Sequence, residues 1–306
     1  MDETSGLLGV LLALFGGALR VSTPFLFVSL GECLTEKSGR INLGQEGILV
    51  LGAMTAYAVS YLSGSPWVGV LAAGFAGMLL AAVHAGLCSL PRVNDIAVGI
   101  AVMLFGKGIA FYLGTPFIQP VAPQLPGISL GWWSTNPQLS DLKIDALFVI
   151  GCLLAPAMAY FFKNTSPGLI VRTVGDSADA ARAMGYSVLK TRLGATLGGG
   201  FLAGVGGADL SLFYPGSWTQ GLSSGQGLMA VALVIFARWD PVRCLWAALI
   251  FGGAGALGPA LQSVGITQGY YLFYAAPYVV TLGILIAASS ANRALVGAPS
   301  ELSITK

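Results

Sequence analysis

The chain has 306 residues, 55% of them hydrophobic and only 9% charged, with a formal net charge of +2. An average soluble domain carries roughly 25% charged residues, so a water-soluble fold of this size could not cover its surface. The basic residues form no dense stripe, which argues against nucleic acid as a partner, and the 43 glycines suit the close helix contacts of a membrane bundle. The expectation is one transmembrane domain over residues 1–306, an all-α polytopic membrane protein with interrupted or re-entrant segments.

Apolar stretches of roughly 20 residues cross a bilayer as helices, and nine can be traced here, with eight to ten as the range. The first, residues 7–30, follows Asp2 and Glu3 where a signal peptide would carry Lys or Arg, and its apolar run is too long for one. It is expected to be retained as an anchor. Arg20 and Pro24 lie inside it and are expected to mark a break or an outer boundary. Residues 41–62, 67–90, 96–113 and 144–162 supply the next four spans. His84, the only histidine, lies in the third span with no second histidine or acid four residues on, and reads as a packing residue rather than a proton relay. The segment 114–142 is the long external loop, rich in proline and carrying Trp132 and Trp133, rings that favour the membrane interface.

A polar island at residues 166–192, SPGLIVRTVGDSADAARAMGYSVLKTR, precedes the sixth span at 193–213. Asp176 or Ser177 can cap a helix there, Asp179 suits the positive end of its dipole, residues 178–184 favour helix, and Gly185 suits its C-terminal end. A helix of about two turns follows, either as a polar contact surface or held near anionic lipid headgroups. Gly194/Gly198 and Gly200/Gly204 in the sixth span have the spacing that lets membrane helices pack closely. The seventh apolar segment, 228–237, is about ten residues long and reads as re-entrant or interrupted. Spans at 244–261 and 270–289 complete the series.

Twelve of the fifteen Lys and Arg residues fall in every second connection, whereas 114–142, 214–227 and 262–269 contain none. Cytoplasmic loops hold the positive excess, so the N-terminus is expected outside and the C-terminus inside, with 114–142 periplasmic and 166–192 cytoplasmic. Cys33, Cys88, Cys152 and Cys244 are scattered and read as small apolar fillers, with no metal cluster. No G-x-x-x-x-G-K-[ST] phosphate loop and no paired nucleophile and base occur, so the chain is not expected to be an enzyme or to bind a cofactor.

The island GLIVRTVGDSADAARAMGY resembles the coupling segment of permeases of ATP-binding-cassette importers for simple sugars and nucleosides, close to G-L-x-x-R-A-x-G-E-N-P-x-A-A-x-x-x-G-I. Arg172, Gly175, Ala180, Ala181 and Gly185 match in register, Asp176 stands for the glutamate, and Ser177-Ala178 replaces Asn-Pro. GECLTEKSGRINLGQEGILVLG (from Gly31), VNDIAVG (from Val93, with Asn94) and GLSSGQGLMAVALVIFARWDP (from Gly221) are similar to the nucleoside branch. The sugar branch typically has G-x-I-D-L-S-V-G where this chain has GRINLGQEG. The resemblance implies a type II importer-like fold in a bacterial inner membrane, with ATP-Mg on partner ATPase subunits and none on this chain. It also implies a second permease, either another copy or a related chain, and an extracytoplasmic substrate-binding protein. Arg172, Gly175, Asp176, Ala181, Arg182 and Gly185 are then the coupling residues. Nucleosides lead as cargo, with riboflavin-like compounds and simple sugars as alternatives and an ion-coupled secondary transporter as a different class.

Transporter sites lie near the midplane beside interrupted helices, and two segments have that character. Asn42 to Gly47 and Ser223 to Gly227 both place Gly-Gln and a second glycine before an apolar run. They are either related positions of two half-repeats facing one cavity or the glycine-rich ends of ordinary spans. Asn42, Gln45 and Gln226 offer donors and acceptors to a neutral cargo. Asn94, Glu32 and Glu46 complete the candidate path residues, the two acids serving either cargo or as braces, with Asp209 a further buried acid and Lys107 or Arg20 as candidate partners.

Overall fold

The structure, a computed structural model, describes residues 3–129, 143–263, 269, 273, 275–288 and 297–303. Helix α1 (Glu3–Lys37) runs unbroken through Pro24, so the break expected at Arg20 and Pro24 does not occur. Proline removes one helical donor, but within a membrane bundle packed neighbours and hydroxyl side chains can hold the turn. Here the Ser22 hydroxyl donates to the Leu19 carbonyl at 2.9 Å, and the Thr23 hydroxyl donates to Asp145 Oδ2 at 3.1 Å.

Helices α2 (Gln45–Ser63), α3 (Pro66–Cys88) and α4 (Asp95–Gly114) follow. Asn94 caps α4, its Oδ1 accepting the Ile96 and Ala97 N–H groups. The segment expected outside is not wholly irregular: β1 (Gly127–Ser129) and β2 (Lys143–Asp145) pair antiparallel, Ile128 opposite Ile144. Trp132 and Trp133 lie outside the described residues. Asp145 then caps α5 (Ala146–Asn164) through the Phe148 N–H.

The polar island forms two helices rather than one, α6 (Ser166–Asp176) and α7 (Ala178–Ala183), ahead of α8 (Val188–Leu212). Helix α9 (Gln226–Phe236) is short, α10 (Pro241–Ser263) is long, and α11 (Ala276–Ala288) lies within the last expected span, part of which is outside the described residues. A 3-10 turn covers Ser300–Ser303.

Among the described residues, six helices are long and apolar enough to cross a membrane: α1 from Leu14, α2, α3, α4, α5 and α10. Helix α8 is also long enough, about 37 Å at 1.5 Å per residue, yet its composition is too glycine-rich for that group. Its position explains this, because α8 packs against α1, α2 and α3 and is buried along most of its C-terminal half, so it needs few side chains suited to lipid. A Cβ at Gly200 would lie 2.2 Å from Ala81 Cβ, and one at Gly204 would lie 2.1 Å from the Ala73 carbonyl oxygen. Gly194, in contrast, has nothing within 4 Å, so the close seam uses Gly200 and Gly204 and not the Gly194/Gly198 pair. Gly199 and Gly31 make the matching approach between α8 and α1.

Arg40, Arg182 and Arg192 line a common cleft at one end of the bundle, the basic end. His84 is buried near that end, its Nε2 3.2 Å from the Ile41 carbonyl and 3.5 Å from Cys88 Sγ. All four cysteines are unbridged.

Candidate functional site

Residues 38–44 do not begin the second helix. They fold back from the end of α1 into the bundle, and α2 starts only at Gln45. Glu32 on α1 holds this fold: its carboxylate accepts the Asn42 N–H at 2.7 Å and Gln45 Nε2 at 2.6 Å. Asn42 Oδ1 in turn accepts the Gly44 N–H at 2.9 Å. Glu32, Asn42, Gln45 and Glu46 are all fully enclosed. Asn42 Nδ2 and Gln45 Oε1 have no hydrogen-bond partner among the described residues. In this structure Glu32 and Asn42 thus brace the interrupted segment.

Glu46, in the first turn of α2, reaches across to the start of α9. Gly225 takes the left-handed conformation at the α9 N-cap, φ 82°, and has no side chain to offer the exposed N–H groups. Glu46 supplies the missing acceptor: it receives the Gly227 N–H at 2.7 Å, the Gly225 N–H at 3.1 Å and the Ser223 hydroxyl at 2.7 Å. Lys107 Nζ lies 3.1 Å from the same carboxylate. A buried anion at a helix N-terminus with a cationic partner is stable where an isolated one is not. Lys107 lies twelve residues into α4, roughly 18 Å along it, so α9 starts deep in the bundle. It ends where Trp239 Nε1 donates to Glu36 on α1. The seventh apolar segment is thus an interrupted half-length helix, and the two glycine-glutamine segments meet each other through Glu46.

The ring of contacts leaves a cavity of about 320 Å³ beside Gln226, between α1, the C-terminal end of α8, α10 and α11. Arg20, Phe25, Tyr214, Gln226, Met229 and Tyr278 line it. Gln226 Oε1 is buried without a partner among the described residues, while Tyr278 Oη donates to the Ser224 carbonyl at 3.0 Å. Of the candidate path residues, Gln226 alone lines this cavity. Asn94 is remote from it, at the basic end as the α4 cap. Sequence reading missed the aromatic lining, because Phe25, Tyr214 and Tyr278 come from three distant segments, and only Tyr214, beside Pro215 in an expected outer loop, carries any local signal. Arg20 Nε donates to the Lys143 carbonyl at 3.2 Å. Asp209 on α8 is buried against the Asp145 carboxyl group.

At the basic end, α7 is built as its residues imply. Ser177, in an extended conformation, caps it by accepting the Ala180 N–H at 3.2 Å, so Ser177 rather than Asp176 is the cap. Gly185 at φ +84° ends it, its N–H bonding the Arg182 carbonyl while the Tyr186 N–H bonds Ala181. Those two bonds make a Schellman end, which favours glycine at that position. Ala178 and Ala181 face inward onto Val174 and Val188. Asp179, Ala180, Arg182, Ala183 and Met184 face outward. Gly175 also faces inward, since a Cβ there would sit 2.2 Å from the Lys37 carbonyl oxygen. Arg172 is half-buried and Asp176 exposed. The six expected coupling residues therefore divide: Gly175 and Ala181 hold the loop to the bundle, Arg172 is partly covered, and Asp176, Arg182 and Gly185 are open to a partner.

The pattern of the family described as "branched-chain amino acid transport system / permease component" matches residues 14–289. A protein of Haloferax volcanii named as a glucose ABC transporter permease, TsgC13, is 33% identical over 83% of this chain and 79% of its own length. The guanosine ABC transporter permease protein NupQ of Bacillus subtilis is 29% identical over 85% of this chain and 87% of its own. The nucleoside ABC transporter permease protein NupC of Lactococcus lactis is 28% identical over 86% and 88%. With its apolar helices, interrupted half-helix and capped outward-facing α7, the chain belongs to the branched-chain amino acid transport system / permease component family and is a multi-pass permease of the ABC class.

Proposed function

We propose that this permease imports nucleosides, with the cavity beside Gln226 as part of the path. The lining of that cavity carries the reading. Phe25, Tyr214 and Tyr278 bring aromatic rings to its wall, and Gln226 brings a half-buried amide. A flat base can pack against rings while one edge meets a single amide. A hexose carries hydroxyls around its whole rim, and those facing Val21, Phe25, Leu222 and Met229 would lack the partners that buried polar groups need. The volume, about 320 Å³, falls at the small end of ligand sites. The nucleoside-named relatives support this choice.

In this reading the chain crosses the inner membrane about nine times, counting α8, α9 and the segment around α11, with the N-terminus outside and the basic end in the cytoplasm. The outward face of α7 docks on an ATPase subunit that binds ATP-Mg, a second permease completes the pore, and an extracytoplasmic binding protein delivers the cargo. Of the three acids an ion-coupled carrier would need, Glu32 and Glu46 already accept hydrogen bonds on both carboxylate oxygens, while Asp209 lies buried against Asp145. The 33% identity to the glucose-named relative favours simple sugars as the second reading. Uptake of labelled nucleoside competed by unlabelled nucleosides and by glucose separates the two: competition by nucleosides alone supports the first, and competition by glucose alone overturns it.

A further inference from the structure

The segment 297–303 does not hang free at the basic end. Glu301, in the 3-10 turn Ser300–Ser303, is mostly buried and uses both carboxylate oxygens. Oε1 accepts the Ala178 N–H at 2.9 Å, the first amide of α7. Oε2 accepts Arg192 Nη2 at 2.9 Å, at the start of α8. Arg192 Nε in turn donates to the Ser38 carbonyl at 3.1 Å, in the turn that follows α1. Gly39 closes the same contact, since a Cβ there would lie 2.9 Å from Glu301 Cβ.

Helix α7 has six residues and cannot be stable by propensity. Its own cap, Ser177, serves the Ala180 N–H, which leaves the Ala178 N–H to an outside acceptor. Glu301 fills that place with a full negative charge, favoured at a helix N-terminus. The other end of the segment lies against the turn between α9 and α10, where a Cβ at Gly297 would be 3.0 Å from the Arg238 carbonyl oxygen. Leu302 and Ala298 pack on the core cluster that includes Trp239. One short segment thus touches α7, the start of α8 and the far end of the half-helix that presents Gln226.

We infer that Glu301 is a positioning residue for the coupling step: it clamps α7 to the bundle and ties its displacement to the α9–α10 turn. The inference rests on α7 being the surface that meets the ATPase. A clamp of this kind makes α7 move with the helices behind it, so that force applied to its outer face reaches α9 instead of bending the loop. Arg192 sets the carboxylate, and Arg40 and Asp95 form a separate pair at 2.5 Å that leaves Glu301 as the partner of Arg192.

The test compares Glu301→Ala and Glu301→Gln with the parent chain in two measurements. Backbone hydrogen exchange on the purified permease in lipid nanodiscs reads α7 without any ATPase. Cargo transported per ATP hydrolysed, on the importer assembled with its ATPase, reads coupling. Loss of a charge-assisted bond at the helix start should speed exchange across residues 178–183 by about tenfold in Glu301→Ala. Glu301→Gln, whose amide oxygen still accepts the Ala178 N–H, should show a smaller change. Exchange in α2 and α3 should stay as in the parent, and transport per ATP should fall in the same order. Unchanged α7 exchange in Glu301→Ala overturns the clamp. Faster α7 exchange with unchanged transport per ATP overturns the positioning role of Glu301 in coupling, whereas loss of ATPase binding is the result expected only where the outer face of α7 itself is altered, as in Arg182→Glu.

Discussion

Replacing Glu46 by glutamine removes one charge and almost no volume, and should damage the protein more than most surface changes. The carboxylate accepts from the Gly225 and Gly227 N–H groups, the Ser223 hydroxyl and the Lys107 ammonium, and is fully enclosed, while Lys107 is 30% exposed. A glutamine amide has only one oxygen, so its NH₂ must face a donor at one of these positions. An unsatisfied buried donor costs about 1–3 kcal/mol, and breaking a buried ion pair costs about 3–5 kcal/mol. Water can reach part of Lys107, which places the expected loss near the lower figure, about 3 kcal/mol. The start of α9 should loosen with it, and Gln226 is the first residue of that helix. Denaturant unfolding of the purified permease in nanodiscs measures the loss. Adding Lys107→Met should restore part of the stability, because it removes the stranded cation. A Glu46→Gln protein within about 0.5 kcal/mol of the parent, the range of a neutral surface change, would refute the bracing role.

Gly200→Val should prevent folding, since even a Cβ meets Ala81 at 2.2 Å. Gly194→Ala, with open space around it, should gain about 0.5–1 kcal/mol from helix propensity; equal unfolding of the two variants would contradict the α3–α8 seam. Asn42→Ala should lower the amount of folded protein, because it removes the acceptor of the Gly44 N–H. Gln226→Ala should leave that amount unchanged and reduce uptake, as measured by detergent-extracted protein level alongside cargo accumulation. Ser177→Ala should destabilise α7 by about 1 kcal/mol, seen as faster hydrogen exchange at residues 178–183.

Spans were legible from apolar length, and α7 was legible because its signals are local: Ser177 before the alanines, Asp179 in the first turn, Gly185 at the end. Helix α6 was not, since its inward residues Val171 and Val174 follow a polar start and two of its buried positions are glycines. Pro24 misled because proline's local cost is visible in sequence, whereas the packing that tolerates it is not. The glycine stripe of α8 showed that close packing would occur, but which pair makes the seam depends on the facing residues of α3. The same limit applied to the site. Glu46 and Lys107 were evident as buried charges, yet their joint role at the start of α9 depends on contacts between distant segments, Ser223 with Glu46 among them. The cavity wall, drawn from α1, the outer loop and α11, left no pattern in any single stretch.

The most direct measurement is uptake into proteoliposomes holding the purified importer, its permeases and ATPase together, with labelled guanosine delivered by the binding protein. ATP on the ATPase side should drive accumulation with no ion gradient present, and Gln226→Ala should reduce it while the complex remains intact. Accumulation that needs an ion gradient but not ATP, or a Gln226→Ala importer that transports as the parent does, would contradict the account.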